Sequence, residues 1–161
     1  MKGLSTLERL GNKVATRRWL FYLLNFTWGL PLTILGYVVL ILVFPFGKLK
    51  KYGYVRYFEF HKRTGWGVSI GTIFFTTARP SEKLLAHEFG HCVQNAILGP
   101  FMFFVVSIPS FIRFWYRDLY FKNNKHYPAT AYDDIWFEGS ATMIGRMYSH
   151  IRTYYERKER F

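Results

Sequence analysis

Two histidines and a glutamate lie close together in a segment that is otherwise uncharged. His87, Glu88 and His91 occur in the stretch LLAHEFGHCVQNAIL, residues 84–98. On a helix, side chains at positions i and i+4 are neighbours, with Cβ atoms about 5–6 Å apart. Two imidazoles at this spacing can both reach one zinc ion at Zn–N distances of about 2.0–2.1 Å. Glu88 then lies beside the ion, where a carboxylate can act as a base towards water.

The neighbours of this triad favour a buried site over a solvated helix face. Ala86, Phe89, Gly90, Cys92 and Val93 are all uncharged. A buried polar group without a partner costs a few kcal/mol, so these side chains need partners or a chemical role. The alternative is two histidines satisfied within a core, next to a glutamate without a catalytic role. We interpret Cys92 as a small buried hydrophobic residue.

A catalytic zinc ion needs a third protein ligand and one open position. The metzincin pattern would place Gly at position 94 and His at position 97, and the chain has Gln94 and Ile97 there, which excludes that class. The segment WFEGSATMIG, residues 136–145, offers Glu138 as its only acid. We therefore predict His87, His91 and Glu138 as the zinc ligands. The alternative for Glu138 is a role at the positive end of its helix, in a salt bridge or facing the helix dipole.

Small residues accompany Glu138 on one face of its predicted helix. Ala141, Thr142 and Gly145 follow it at i+3, i+4 and i+7. We expect this helix to approach the histidine-bearing helix closely, with Gly90 supplying room from the other side. A glycine in a helix interior costs about 1 kcal/mol, which suggests a packing reason for Gly145.

The motif HEFGH, followed some tens of residues later by EGSA, resembles the gluzincin branch of zinc metallopeptidases. It is similar in particular to small membrane-associated zincin-like proteins with an apolar LGP stretch after the motif. The resemblance covers roughly residues 70–150 and implies a zinc metalloendopeptidase that acts on a peptide or protein substrate. It implies zinc binding by His87, His91 and Glu138, with Glu88 as the general base. Zinc would polarise the scissile carbonyl and lower the pKa of a water molecule to about 7.

The chain departs from the gluzincin pattern after the ligand glutamate. Many gluzincins have an aspartate there that orients a histidine, and this chain has Ala141 and Thr142. Asp134 is a candidate substitute one turn earlier. The candidates for the donor that stabilises the oxyanion are His126, Tyr127 and Tyr132.

A long apolar run precedes the motif. Residues 19–46 contain 28 residues without a formal charge, whereas about 20 suffice to span a bilayer. We predict that this segment is embedded in a membrane; a buried helix of a soluble domain is the alternative. Gly29 and Pro31 can break the helix into arms of 12 and 16 residues, which would reach only about 18 and 24 Å. A re-entrant hairpin is the interpretation that we prefer to a single tilted span.

Basic clusters flank the apolar segment and recur near the end of the chain, at residues 9–18, 48–51 and 156–160, and the net charge is +12. The positive-inside rule places both flanks, and with them the site, on the cytoplasmic side of a membrane. Such clusters suit nucleic acid or anionic lipid. No nucleic-acid-binding motif accompanies them, so we expect anionic membrane lipid as the partner and no nucleic acid. The sequence does not indicate an oligomeric state.

The remaining patterns predict an α+β fold, a minimal zincin-like domain with an N-terminal membrane-embedded helical segment. YVRYFEF and GVSIGTIFF, within residues 53–77, predict a β-hairpin whose edge could pair with an extended peptide. A helix is expected from Pro80 and Ser81 to Gly99, and another from Asp133 to about Tyr155. The apolar run 100–112 is a core segment or dips into the membrane. The predicted organisation is a basic segment (1–18), the embedded segment (19–46), the zincin-like domain (53–155) and a basic tail (156–161).

Two functional hypotheses from different classes follow. The first is a membrane-associated zinc metallopeptidase in which Glu88 acts as general base. The second is a zincin-fold membrane protein with structural zinc, or without catalysis, that serves as a scaffold or interaction subunit. A third hypothesis, a basic membrane anchor with an accidental motif, predicts that no metal is bound.

Overall fold

The computed structural model describes residues 4–62, 65–112, 115 and 136–158, with side chains up to residue 152. It confirms an α+β architecture. The α-helices within these ranges are α1 (Thr6–Ala15), α2 (Arg18–Phe26), α3 (Leu30–Val43), α4 (Glu82–Leu98) and α5 (Trp136–Lys158). A 3-10 turn, Phe44–Phe46, follows α3, and a π-helical segment, Phe103–Ser107, lies beyond α4.

A mixed four-stranded sheet separates the helices. Its strands are β1 (Gly47–Tyr52), β2 (Val55–Phe60), β3 (Gly67–Ile70) and β4 (Ile73–Thr76), in the spatial order β1-β2-β4-β3. Strands β1 and β2 form one antiparallel hairpin and β3 and β4 form another, while β2 and β4 pair in parallel. Strand β3 is therefore at one edge of the sheet.

The predicted single hairpin between YVRYFEF and GVSIGTIFF is wrong. The second run divides into two strands at Gly71, whose φ of 66° begins a two-residue turn of the kind that favours glycine. The YVRYFEF run, which forms β2, instead pairs with β1. The residues of β1 had been interpreted only as the basic flank of the apolar segment. Lys48 and Lys50 are exposed on β1, an arrangement typical of edge strands, where lysine opposes further pairing.

Helix α4 begins and ends where the sequence predicted. The Ser81 side chain caps its start by accepting a hydrogen bond from the backbone N–H of Leu84 at 3.2 Å. Gly99 ends the helix with a positive φ of 56°. Helix α5 begins at Trp136, and the predicted start at Asp133 lies outside the described residues.

The main core lies between α4 and one face of the sheet. Phe89 of α4 is fully buried against Tyr52, Phe74 and Tyr148. Helices α1 and α2 enter the same core through Val14 and Ala15 and through Phe21, so the basic N-terminal segment packs with α4 and the sheet. A hydrogen bond from the hydroxyl of Tyr54 to the carbonyl of Ala15, at 2.8 Å, joins the β1–β2 turn to the end of α1.

Helices α4 and α5 pack closely, as the small residues predicted. A Cβ atom on Gly90 would collide with the carbonyl oxygen of Ala141, and one on Gly145 would collide with the carbonyl oxygen of Ala86. Only glycine at these two positions permits this backbone separation. The close approach brings the Glu138 end of α5 to the histidine face of α4.

The apolar run breaks between α2 and α3, near the predicted Gly29. A buried amide pair stabilises the break, because the side-chain nitrogen of Asn95 donates to Asn25 Oδ1 at 2.6 Å and lies 3.3 Å from the Gly29 carbonyl oxygen. No single helix among the described residues has the length and apolar character that a membrane crossing needs. Helices α2 and α3, with the following 3-10 turn, meet these criteria only as a pair bent by 91°.

Helix α3 covers the other face of the sheet and leaves its outer side uncovered. Its inner residues Val39, Leu40 and Val43 pack against the buried Phe58 and Phe75. Its outer residues are exposed, with Ile41 and Leu42 at 73% and 70%. Further large apolar side chains on α2 and beyond α4 are also exposed, among them Trp19, Leu23, Phe26, Phe101, Phe104, Phe111 and Ile112.

Candidate metal centre

Three nitrogen and oxygen atoms converge where α4 meets α5. His91 Nε2 lies 3.2 Å from His87 Nε2 and 3.1 Å from Glu138 Oε2, and His87 Nε2 lies 3.2 Å from the same carboxylate oxygen. A tetrahedral zinc ion with bonds of about 2.0–2.1 Å separates its ligand atoms by about 3.3–3.4 Å. The three side chains therefore lie close together at the spacing that one metal ion requires.

The proton on His91 is fixed by Gln94, one turn further along α4. The amide nitrogen of Gln94 donates to the carbonyl of Phe137 at 2.7 Å and to the Ser140 hydroxyl oxygen at 2.8 Å. Its Oε1 therefore faces His91 Nδ1, 2.8 Å away, and accepts the Nδ1 proton. With Nδ1 engaged by Gln94, Nε2 is the ring nitrogen that faces the convergence point, as in metal-binding histidines.

His87 has a comparable partner on α5. Its Nδ1 lies 2.8 Å from the hydroxyl oxygen of Thr142, which can accept the Nδ1 proton. Thr142 occupies the region where many gluzincins have an aspartate. The Thr142 hydroxyl can therefore orient His87 at a position where the sequence departs from the gluzincin pattern. Asp134, the candidate substitute for the gluzincin aspartate, lies outside the described residues.

Glu138 is buried, with 1% of its surface exposed. One carboxylate oxygen faces the two histidines, and the other accepts a hydrogen bond from the Ser110 hydroxyl. Burial alone would raise the pKa of Glu138, but the hydrogen bonds with His87, His91 and Ser110 hold it well below its ordinary value. The carboxyl group is therefore ionised and suited to bind a cation.

Glu88 is also buried, and it lies against the edge strand β3. Its Oε2 accepts a hydrogen bond from the Ser69 hydroxyl at 2.6 Å. A Cβ atom on Gly67 would lie 2.5 Å from Glu88 Oε1 and 2.8 Å from its Cδ, so glycine leaves the space that this carboxylate occupies. Strand β3 thus positions Glu88 through a hydroxyl on one residue and the absence of a side chain on another.

A cavity of about 630 Å³ reaches these groups. His87, Glu88, His91 and Glu138 all line it together with β3. Most of its other walls are apolar and come from α3 and from the segment after α4, including Leu32, Leu35, Met102, Phe103, Val106, Ile108, Phe111 and Trp115. The run 100–112 therefore contributes buried residues, Met102 and Val106, as well as exposed ones.

The structure thus brings together the three predicted ligands and places Glu88 in the same cavity. The predicted oxyanion donors His126, Tyr127 and Tyr132 lie outside the described residues. Cys92 is fully buried, as expected for a small core residue.

Four positioning residues escaped the sequence analysis, namely Ser69, Gln94, Ser110 and Thr142. Gln94 carried a usable signal, because an amide three residues after a ligand histidine lies on the same helix face. Thr142 was noted only as a small residue. Ser69 and Ser110 reach the site through tertiary contacts, for which the sequence gives no local pattern.

Comparison with known proteins finds no match among protein-family models, curated proteins or solved structures. The resemblance to gluzincins therefore depends on the HEFGH and EGSA motifs alone.

Proposed function

We propose that this chain is a membrane-associated zinc metallopeptidase that hydrolyses peptide bonds, with His87, His91 and Glu138 as the zinc ligands and Glu88 as the general base. The observation that carries the proposal is the convergence of three ligand atoms at 3.1–3.2 Å beside a buried carboxylate in one cavity.

Each residue of the site has a distinct task in this mechanism. When bound, zinc supplies a Lewis acid that polarises the scissile carbonyl and makes a water molecule acidic enough to ionise near neutral pH. Glu88 takes the proton from the attacking water and delivers it to the leaving amine. Ser69 keeps the Glu88 carboxylate in the cavity, and Gln94 and Thr142 keep the imidazoles aligned.

Strand β3 offers a docking place for an extended peptide. It is an edge strand, it borders the cavity, and its Ser69 contacts Glu88. Ile70 and Ile73 flank the two-residue turn and form a hydrogen-bonded pair. Because hydrogen-bonded and non-hydrogen-bonded pairs alternate along an antiparallel ladder, the residues between the hydrogen-bonded pairs direct their backbone groups away from β4. Gly67 and Ser69 would then present their N–H and C=O groups to a substrate backbone, which is recognition by β-addition.

Association with a membrane is supported by surface chemistry. Large apolar side chains are exposed on α2, α3 and the segment after α4, and the bent α2–α3 pair has the combined length and apolar character of a membrane-embedded segment. Exposed apolar surface on this scale marks an interaction site. Lys48 and Lys51 lie on β1, which follows α3 after the 3-10 turn, and both are exposed, which suits an anionic lipid surface on the cytoplasmic side.

The scaffold hypothesis differs in the number of zinc ligands that it requires. A structural zinc site is closed by four protein ligands, whereas a catalytic site has three and an open position. Within the described ranges, the candidate metal group contains three residues, His87, His91 and Glu138. The cavity beside them also contains a carboxylate, Glu88, which a structural site does not need.

The first experiment is a metal analysis of the full-length chain purified in detergent. We expect about one zinc per chain, reduced strongly in His87→Ala and in Glu138→Ala, because each removes one of three ligands. His150→Ala is the matched control, since His150 is exposed and is not part of the candidate metal group. Wild-type protein that binds no zinc after reconstitution would exclude both the peptidase and a structural zinc site.

The second measurement separates catalysis from zinc binding. Glu88→Gln is expected to retain zinc and to lose nearly all hydrolysis of an unstructured protein substrate such as casein, because an amide cannot accept the proton from water. Zinc retention together with unchanged hydrolysis would refute the role of Glu88. Zinc binding without any hydrolysis by the wild type, over a range of substrates that includes membrane-inserted peptides, would favour the scaffold.

A further inference from the structure

A second cavity adjoins the metal centre on the other side of His87. It has a volume of about 520 Å³ and lies between the β4–α4 connection, the first turns of α4, and α5. His87 and its partner Thr142 form part of its wall, and His87 also lines the apolar cavity described above. The metal centre therefore lies at the junction of two cavities.

The chemical character of this second cavity is the opposite of that of the first. Among the described residues, its walls include Arg79, Lys83 and Arg146 and contain no acidic residue. All three cations are exposed, and none forms an ion pair with an acid of the described residues. We refer to this cavity as the basic cleft.

Two acids that lie close to these cations in the sequence or the fold form ion pairs with other residues. Glu82 lies 2.8 Å from Arg152 Nη2 and accepts a hydrogen bond from the Tyr52 hydroxyl at 2.9 Å. Glu59 forms an ion pair with Lys50 at 2.8 Å through one carboxylate oxygen, and its other oxygen accepts a hydrogen bond from the backbone N–H of Arg79 at 3.4 Å, which leaves the Arg79 guanidinium without an ion pair to it. Neither acid lines the basic cleft, so within the part of the chain that the structure describes its positive charge is available to a ligand.

The cations are placed at a short distance from the reacting groups. Lys83 precedes His87 by four residues on α4, and Arg146 follows Thr142 by four residues on α5. Four residues correspond to about 6 Å along a helix axis, which is close to two residues of extended peptide. Lys83 therefore lies about one turn from His87 on α4, and Arg146 lies about one turn from Thr142, the partner of His87, on α5.

The backbone at Arg79 supports a functional interpretation. Its φ of 56° is the only positive value at a non-glycine residue among those described. Such a conformation is uncommon outside glycine, and an observed outlier of this kind is a reason to look for function. Neighbouring hydrogen bonds hold it in place, including one from the Ala78 N–H to the Lys62 carbonyl at 2.9 Å.

We propose that the basic cleft is a specificity subsite that binds a carboxylate of the peptide substrate, within about two residues of the scissile bond. This inference rests on the proposed peptidase function and specifies its substrate class. The substrate would have apolar residues on one side of the bond, in the apolar cavity, and an acidic group on the other side. The carboxylate comes from an Asp or Glu side chain or from the C-terminus of the peptide.

Peptide binding tests the subsite without hydrolysis. The full-length, zinc-loaded Glu88→Gln chain is titrated in detergent with fluorescent peptides that carry apolar residues and one Glu, and with the same peptides carrying Gln. Two exposed ion pairs predict that the Glu peptide binds about tenfold more tightly. Amidated and free C-termini are compared in parallel, so that the source of the carboxylate is identified.

Charge-neutral variants assign the preference to the basic cleft. Lys83→Gln with Arg146→Gln should reduce the preference for the acidic peptide to about twofold or less. Arg56→Gln with Lys62→Gln removes the same charge from exposed positions outside the cleft and should preserve the preference. Equal binding of acidic and neutral peptides to the unmodified cleft would overturn the proposal. So would a preference that survives the first pair of substitutions or is lost equally in the second pair.

The failure of this proposal can be distinguished from the failure of the proposed function. Equal hydrolysis of acidic and neutral peptides by the wild type would overturn the subsite and leave the peptidase intact. A chain that prefers acidic peptides but hydrolyses none of them would retain the subsite as a binding site and overturn the peptidase.

Discussion

Replacement of Gln94 by leucine isolates the contribution of histidine orientation to the metal centre. Gln94 is fully buried, and its side chain makes three hydrogen bonds, with His91, Phe137 and Ser140. Leucine has a similar volume and can form none of them. The Phe137 carbonyl still accepts a hydrogen bond from the Ser140 hydroxyl at 3.1 Å. The principal group left without its partner is therefore the Nδ1–H of His91.

The expected magnitude follows from that single group. A buried donor without its acceptor costs about 1–3 kcal/mol. His91 can avoid this cost by moving its proton to Nε2, but that proton then occupies the position of the metal. Loss of such an orienting partner typically reduces metal affinity about 10- to 100-fold, which corresponds to about 1.4–2.7 kcal/mol. The first range refers to the free energy of unfolding and the second to the free energy of zinc binding, and both arise from loss of the same hydrogen bond.

The assay is zinc affinity, measured by competition with a chromophoric chelator on full-length protein in detergent. Asn95→Leu is the matched control, because Asn95 is the adjacent buried amide on α4 and its hydrogen bonds reach Asn25 and Gly29 instead of the metal centre. Both variants should lower the free energy of unfolding by about 1–3 kcal/mol. Only Gln94→Leu should weaken zinc binding by an order of magnitude or more.

Two results would refute this reasoning. Zinc affinity within about threefold of the wild type in Gln94→Leu would show that the Gln94 hydrogen bond does not orient a ligand. An equal loss of affinity in Asn95→Leu would assign the effect to general destabilisation of α4.

Two further predictions concern other positioning contacts. Thr142→Val should reduce zinc affinity about tenfold by removing the hydroxyl beside His87 Nδ1, and Thr142→Ser should restore most of it; equal affinity in the valine and serine variants would contradict the orienting role. Gly67→Ala places a methyl group against the Glu88 carboxylate, so kcat should fall at least about tenfold while zinc content is unchanged. An unaltered kcat in Gly67→Ala would show that the position of Glu88 is not critical.

The part of the site that the sequence predicted is the part encoded locally. The spacing of His87 and His91 fixes their common face on any helix. Ser81 and Gly99 fix the ends of that helix through capping. Glu138 could be selected because it is the only acid in its uncharged stretch, and the small residues beside it indicated close packing, which Gly90 and Gly145 confirm.

The sheet was mispredicted because its pairing is set by long-range contacts. The run GVSIGTIFF reads as one apolar strand, but Gly71 reverses the chain after Ile70 and creates the edge strand β3. The parallel pairing of β2 with β4 has no local signal, because another strand, β3, lies between them in sequence. The prediction of an edge strand within residues 53–77 was therefore correct. The predicted pairing of that strand was wrong, because β3 pairs with β4 and not with the YVRYFEF run.

The polar groups of the site are paired with one another in this fold. His91 has Gln94 and Glu138 as partners, Glu138 also has Ser110, and Glu88 has Ser69. These hydrogen bonds offset the desolvation cost of placing the polar groups in apolar surroundings. Hydrogen bonding alone therefore does not distinguish a functional site from a polar core whose groups are all paired. The distinguishing feature is the space around them. A polar core is closely packed, whereas here a cavity of about 630 Å³ touches His87, Glu88, His91 and Glu138 together. An arrangement selected only for stability would fill that volume with side chains, so the cavity favours a site that admits a substrate.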